Sequence, residues 1–180
     1  MINIKQPALA LHSCDVPGFR YQMSTTWNMP AGASASNVVY WISYAVDHTP
    51  DLELANVIIN SHGDPGILYV GGKNNPEIGI EQVGLFGQLR TKDIGTIWLI
   101  GCLVATGTNG LNFCSKLATT VGCFVVAAND DQFVETRYYR GNTPFGSIDD
   151  FEGTAYTFSP SGSKELYSIH DPDAETELYN

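Results

Sequence analysis

Basic residues are scarce in this chain. Nine lysines and arginines stand against 19 aspartates and glutamates, for a formal net charge of -10. Proteins that track nucleic acid neutralise phosphates with Lys and Arg, so no nucleic-acid partner is expected. Attachment to an anionic membrane or a polyphosphate ligand is disfavoured for the same reason. The chain also lacks any run of about 18 apolar residues, so no membrane-spanning helix is expected. Met1–Pro7 has no charged-then-apolar pattern of a secretory signal. The expectation is a cytoplasmic protein, with export by a signal-independent route left open. The four cysteines, Cys14, Cys102, Cys114 and Cys123, form no C-x-x-C pair and no zinc spacing with the histidines. Free thiols, no metal and no cofactor are expected. Cys114 and Cys123 read as buried small hydrophobes.

What is present suits one domain. A chain of 180 residues, 43% of them hydrophobic, can bury a core without staples. The expected division is a core over about 36–131, a β-rich extension over 132–170 and an acidic tail over 171–180. Upstream, Ala8–His12 and Tyr21–Trp27 suit strands, and Met29–Ala35 a loop. Ser36 reads as the cap of a helix burying Val38, Ile42, Ala45 and Val46. Thr49-Pro50 stops that helix.

Three apolar runs follow, at Leu54–Asn60, Thr96–Gly101 and Cys123–Ala128. The first has few polar breaks and reads as a strand buried on both faces, as in a parallel sheet. Ile67–Val70 fits an appended hairpin. Ile80–Leu89 suggests a helix weakened by Gly84 and Gly87. A second helix capped by Thr108 or Asn109 carries Leu111, Cys114, Leu117, Ala118 and Val121, and Gly122 ends it. Short β pieces are expected at Phe133–Tyr139, Thr154–Phe158 and Leu166–Ile169. Helices alternating with strands predict an α/β fold with a mainly parallel sheet, its helices disposed as a three-layer αβα sandwich.

Right-handed crossovers make the three core strands run the same way. Their carboxyl ends then share one edge, where ligands of open α/β sheets bind. His62-Gly63, Cys102 and Asn129–Asp131 all follow those ends. Neighbouring strands are about 4.8 Å apart, so an imidazole and a thiol off adjacent strands can meet. The imidazole can generate the thiolate, which is the nucleophile. The N–H groups of Gly63 and Cys102 are candidates for an oxyanion hole. Asp64, Asp130 and Asp131 are candidates to receive a basic substrate side chain. His12, His48 and His170 stand isolated and read as surface or turn residues. Asp149, Asp150 and Glu152 match no metal-site spacing.

Val57–Gly63 and Ile97–Cys102 resemble the two catalytic strands of caspase-like (clan CD) cysteine peptidases, including their bacterial members. In that group a His-Gly and then a Cys follow successive core strands. Here they are 40 positions apart, near the roughly 50 of caspases. The resemblance covers about Leu54–Asp131. It implies a cysteine endopeptidase acting on a peptide or protein substrate, with Cys102 as nucleophile, His62 as general acid and base, and oxyanion donors from Gly63 and Cys102. The caspase Gln-Ala-Cys-Arg-Gly sequence is absent: Ile100-Gly101-Cys102-Leu103-Val104 stands in its place. No arginine marks an aspartate-selective pocket, and nine basic residues do not suit inositol phosphate control.

Two other functions fit the sequence. One is a caspase-like module without catalysis that binds a peptide or partner, through the cleft or by strand addition at Tyr138-Tyr139 or Tyr156–Phe158. The other is a papain-like amidase using Cys14 with His48 or His62, although Asp15–Gly18 reads as a turn rather than the helix start such enzymes place after the cysteine.

Overall fold

The computed structural model describes residues 1–17, 20–72, 76–132 and 144–170, with His170 described by its backbone alone. The first elements are β1 (Ile2–Asn3), β2 (Ala8–His12), β3 (Thr25–Asn28), α1 (Ala35–Asp47) and β4 (Glu53–Asn60). A small antiparallel sheet follows, made of β5 (His62–Asp64), β6 (Ile67–Tyr69) and β7 (Glu77–Ile78). Then come a 3-10 helix over Val83–Leu89, β8 (Asp93–Ile100), α2 (Gly107–Val121) and β9 (Phe124–Ala128). The last strands are β10 (Ser147–Ile148), β11 (Gly153–Phe158) and β12 (Lys164–His170). The expected strand at Phe133–Tyr139 and the acidic tail lie outside the described residues.

The central sheet has seven strands in the order β12-β11-β9-β8-β4-β2-β3. β3, β2, β4, β8 and β9 are parallel, and β11 and β12 join antiparallel beside β9. The fold is therefore α/β with a mixed, mainly parallel sheet. Its interior begins upstream of residue 36, because β2 lies between β3 and β4 and all five of its residues are buried. A strand buried on both faces shows no alternation, so Ala8–His12 carries no periodic signal of its central place. Tyr156–Phe158 is not an open edge either, since β11 is paired on one side with β9 and on the other with β12.

The expected three layers are not formed by the described residues. α1, α2 and the 3-10 helix all pack on one face, against Leu9, Leu11, Val57, Ile59, Ile97 and Leu99. Topology supplies the reason. The crossovers β3 to β4, β4 to β8 and β8 to β9 all advance toward β12. Right-handed connections advancing in one direction must lie on one face. The connection from β2 to β3 runs the other way and so crosses the opposite face. It is a loop, and its Tyr21 and Met23 pack with Ile4, Ile148 and Phe151 over Ile58, Trp98 and Val126.

Local chemistry sets the helix ends. Ser34, rather than Ser36, caps α1: its hydroxyl accepts from the Asn37 N–H at 3.4 Å, and Asn37 Oδ1 accepts from the Ser34 N–H at 2.9 Å. Thr106 precedes α2, one turn earlier than Asn109. Gly122 closes α2 at φ +84, donating to Ala118 O at 2.8 Å. Over Val83–Leu89 the buried positions are Val83, Phe86 and Leu89. That spacing of three is the period of a 3-10 helix, so the segment buries one narrow stripe and leaves Gly84 and Gly87 exposed.

His12 ends β2 fully buried, which corrects its assignment to the surface. Its ring nitrogens lie 3.1 Å from Asn60 Nδ2 and 3.3 Å from Tyr21 O. Burial holds the imidazole down at about 4 against an ordinary 6.5; the Tyr21 carbonyl opposes this and the Arg20 charge reinforces it. The native state thus keeps His12 neutral while the unfolded chain protonates it. Its contribution is complete above pH 6.5 and is lost as the pH falls through about 4. The loss is roughly 3 kcal/mol at most. Urea denaturation at pH 7 and at about pH 4.5 is expected to show wild type losing more stability than His12→Gln by much of that amount; equal losses in the two proteins refute it.

Candidate functional site

β4 and β8 pair with a constant offset of 40 residues, from Glu53 opposite Asp93 to Asn60 opposite Ile100, with only the Ala55–Gly95 step unpaired between them. The offset continues past the strands. The Ser61 N–H donates to Ile100 O at 3.0 Å, and a Cβ on Gly101 would stand 3.0 Å from Ser61 O. His62 and Cys102 follow directly after these residues. Both line one cleft of about 320 Å³ at the carboxyl edge of β2, β4 and β8, with Val16, Tyr21, Asn60 and Phe151. This edge includes the switch point where the chain reverses direction across the sheet, between β2 and β4.

The β5–β6 hairpin locks the two loops together. A Cβ on Gly63 would stand 2.8 Å from Cys102 O and 2.9 Å from Val104 Cγ2, so only glycine allows this approach. The Gly66 N–H donates to Val104 O at 3.1 Å. Asp64 and Ile67 flank the two-residue turn, and Gly63 faces Leu68 one step out. Hydrogen-bonded and non-bonded pairs alternate outward from such a turn, which directs the Gly63 N–H away from β6. Leu103, directly after Cys102, takes a left-handed φ of +59, uncommon for a side chain of its size. The bend lets Leu103 N–H reach Asp130 O at 2.9 Å and Ala105 N–H reach Ala128 O at 2.8 Å. The Cys102 backbone is thereby tied to the end of β9.

Cys102 is half-buried. Burial pushes its thiol above the ordinary 9.0; the Gln132 N–H, donating to Sγ at 3.4 Å, works against this, and the Asp131 charge adds to it. Neutral thiol is the resting form at pH 7. His62 Nε2 lies 3.9 Å from Asp15 Oδ2, and both side chains are about one-third exposed.

Of the expected substrate-binding acids, none lines the cleft. Asp64 is exposed and its Oδ2 accepts from the Tyr69 hydroxyl at 2.7 Å. Asp130 is exposed and accepts from the Asp131 N–H at 2.8 Å. Asp131 acts on the Cys102 thiol rather than on the pocket wall. The acids that do line the cleft are Asp149, Asp150 and Glu152, and no lysine or arginine joins them among the described residues. They follow β10, and their position depends on a loop meeting the sheet edge across many residues, which no local pattern reveals. Gln132 gives no local signal either: it contacts the sulfur and also clamps the wall, its Nε2 donating to Glu152 O at 3.2 Å and its Oε1 accepting from the Glu152 N–H at 3.3 Å.

The remaining candidates fall elsewhere. Cys14 is exposed in a turn, not at a helix start, and is not part of the cleft lining. His48 ends α1, stacked on Tyr44 with ring centroids 3.8 Å apart. Cys114 and Cys123 are buried free thiols. No group of three or more metal-ligating side chains occurs among the described residues, and no helix among them is long and apolar enough to cross a membrane.

Comparison with known proteins adds one finding. A family described as "Domain of unknown function (DUF4347)" matches residues 25–134, a span that runs from β3 past Gln132 and holds both His62 and Cys102. No curated protein matches the chain. With more than half of its length inside that match, the chain belongs to the DUF4347 family.

Proposed function

We propose that this domain is a caspase-like cysteine endopeptidase that cleaves peptide bonds through a thioester, with Cys102 as nucleophile and His62 as general acid and base. The observation that carries the proposal is that His62 and Cys102, each just past strands paired at an offset of 40 residues, line one cleft. Supporting it are the glycine-only approach of Gly63 to the Cys102 carbonyl and the fixed loop after the nucleophile. The fold supports it through the parallel core and the position of the pair at the carboxyl edge; the single helical layer is a departure.

The chemistry follows from the atoms present. As the sulfur attacks the scissile carbonyl carbon, its proton passes to His62. The carbonyl oxygen becomes an oxyanion facing the N–H groups of Gly63 and Cys102. The C–N bond breaks, and the departing amine takes the proton from His62. Water, losing a proton to the neutral imidazole, then hydrolyses the thioester and restores the thiol. Because the resting thiol is protonated at neutral pH, His62 is required during attack.

Asp149, Asp150 and Glu152 along the cleft favour a substrate with a basic side chain next to the scissile bond. A carboxylate wall attracts Lys or Arg and repels Asp or Glu. The competing function is peptide binding without chemistry, and the raised Cys102 thiol favours it.

Alkylation with iodoacetamide separates the two. Wild type is expected to label at Cys102 near pH 7.5, with the rate rising again above pH 9 as free thiolate forms. His62→Ala should lose the neutral limb, about a hundredfold in rate, and keep the alkaline one. A neutral limb that survives His62→Ala rules out the pair. In a peptide-library screen, cleavage should vanish in Cys102→Ala. Because Asp150 is paired with the Met1 α-ammonium, the test removes the other two: Asp149→Asn with Glu152→Gln should raise KM for basic peptides about fivefold, at roughly 0.5 kcal/mol per lost charge contact, and leave neutral peptides unchanged. Equal changes for both peptide sets exclude the acidic wall as the selector.

A further inference from the structure

Three adjacent strands, β2, β4 and β8, each deliver one reactive group to the same edge. In spatial order these are Asp15, His62 and Cys102. We propose that Asp15 is the positioning residue for His62, an inference that rests on the peptidase proposal above.

Asp15 is itself held from both sides of the histidine. Ser13, directly after β2, is fully buried. Its N–H donates to Asn60 O at 2.8 Å, two residues before His62. Its hydroxyl lies 2.9 Å from Asp15 Oδ1 and 3.3 Å from Tyr69 O, and Tyr69 is the hairpin partner of His62. One serine thus joins the acid to the strand that leads into His62 and to the strand that pairs with it. The other oxygen, Asp15 Oδ2, faces His62 Nε2 at 3.9 Å. Such contacts are often long without substrate and tighten when it binds.

The consequence is a defined tautomer. A carboxylate facing Nε2 keeps the ring proton there and leaves the Nδ1 lone pair to accept the thiol proton. When that proton arrives, the imidazolium lies against a negative charge and is stabilised. Asp15 stays ionised throughout and takes no proton. A surface ion pair contributes little to folding, so loss of Asp15 should act on reactivity far more than on stability.

The test is the pH profile of Cys102 alkylation by iodoacetamide in a Cys14→Ser background, which leaves Cys102 as the accessible thiol. Asp15→Asn keeps the size of the side chain and an acceptor for Ser13. It should lower the neutral limb at least about tenfold, leave the alkaline limb in place and leave the urea midpoint unchanged. Asp15→Glu should recover part of the loss, and Ser13→Ala should lower the neutral limb by a smaller factor. If the Asp15→Asn profile overlays the parent while His62→Ala loses its neutral limb, the positioning role is overturned and the Cys–His pair stands. A uniform fall at every pH marks a merely structural effect and also overturns it. If His62→Ala overlays the parent as well, the peptidase proposal fails and takes the role of Asp15 with it.

Discussion

The candidate site depends on one constraint, the register of the β4–β8 ladder. Parallel strands hold their offset as long as the hydrogen bonds continue, and here they continue through Ser61 and Ile100. A slip of one residue would turn every side chain of a strand to the other face. Such a slip would put Ile58 and Asn60 among the helices, and Val57 and Ile59 on the opposite side. Burial on both faces therefore forbids it, and the same prohibition keeps His62 level with Cys102. The core specifies the alignment of the two groups before either has a chemical role.

Topology decides how that edge is covered. Because three crossovers advance in one direction, the helices share one face. Among the described residues the opposite face receives only loops and the β1–β10 pair. The cleft opens on this side, with Tyr21 and Phe151 as apolar walls and the carboxylates after β10 as its acidic rim. A helix in the β2–β3 connection would occupy that space. Among the described residues the absence of a third layer and the open cleft are therefore one structural fact.

The three core strands and the order His-Gly, crossover, Cys were legible because each strand is an apolar run closed by a polar residue. α1 and α2 were legible from their 3.6-residue stripes, with an error of two or three residues at the caps, where Ser34 and Thr106 replace nearby residues of similar chemistry. β2 was harder, since Ala8–His12 is short and without alternation. Its bounds were read as they stand, Ala8–His12, but not its central place in the sheet, so His12 was assigned to the surface and Asp15 only to a turn. Asp64 and Asp130 were chosen for closeness in sequence to the strand ends, but Asp64 accepts from the Tyr69 hydroxyl, Asp130 accepts from the Asp131 N–H, and neither lines the cleft. The acids that line the cleft arrive from another part of the chain, and only the assembled sheet brings them in.

The environment of Cys102 sets two tendencies against each other. Half-burial and Asp131 disfavour thiolate, while the Gln132 N–H favours it, and the balance lies toward the protonated form. A tenfold loss of thiolate costs about 1.4 kcal/mol of reactivity. A positioned general base returns at least about a hundredfold, which outweighs that loss. A sulfur kept protonated at rest is also less open to oxidation and to chance electrophiles, since both attack the thiolate. In the proposed mechanism reactivity belongs to the pair rather than to the cysteine alone, and it is shown toward an electrophile seated where the imidazole can take the thiol proton. The apolar Leu103 and Val104 beside Cys102, which argue against catalysis when the sequence is read alone, fit a thiol held protonated at rest.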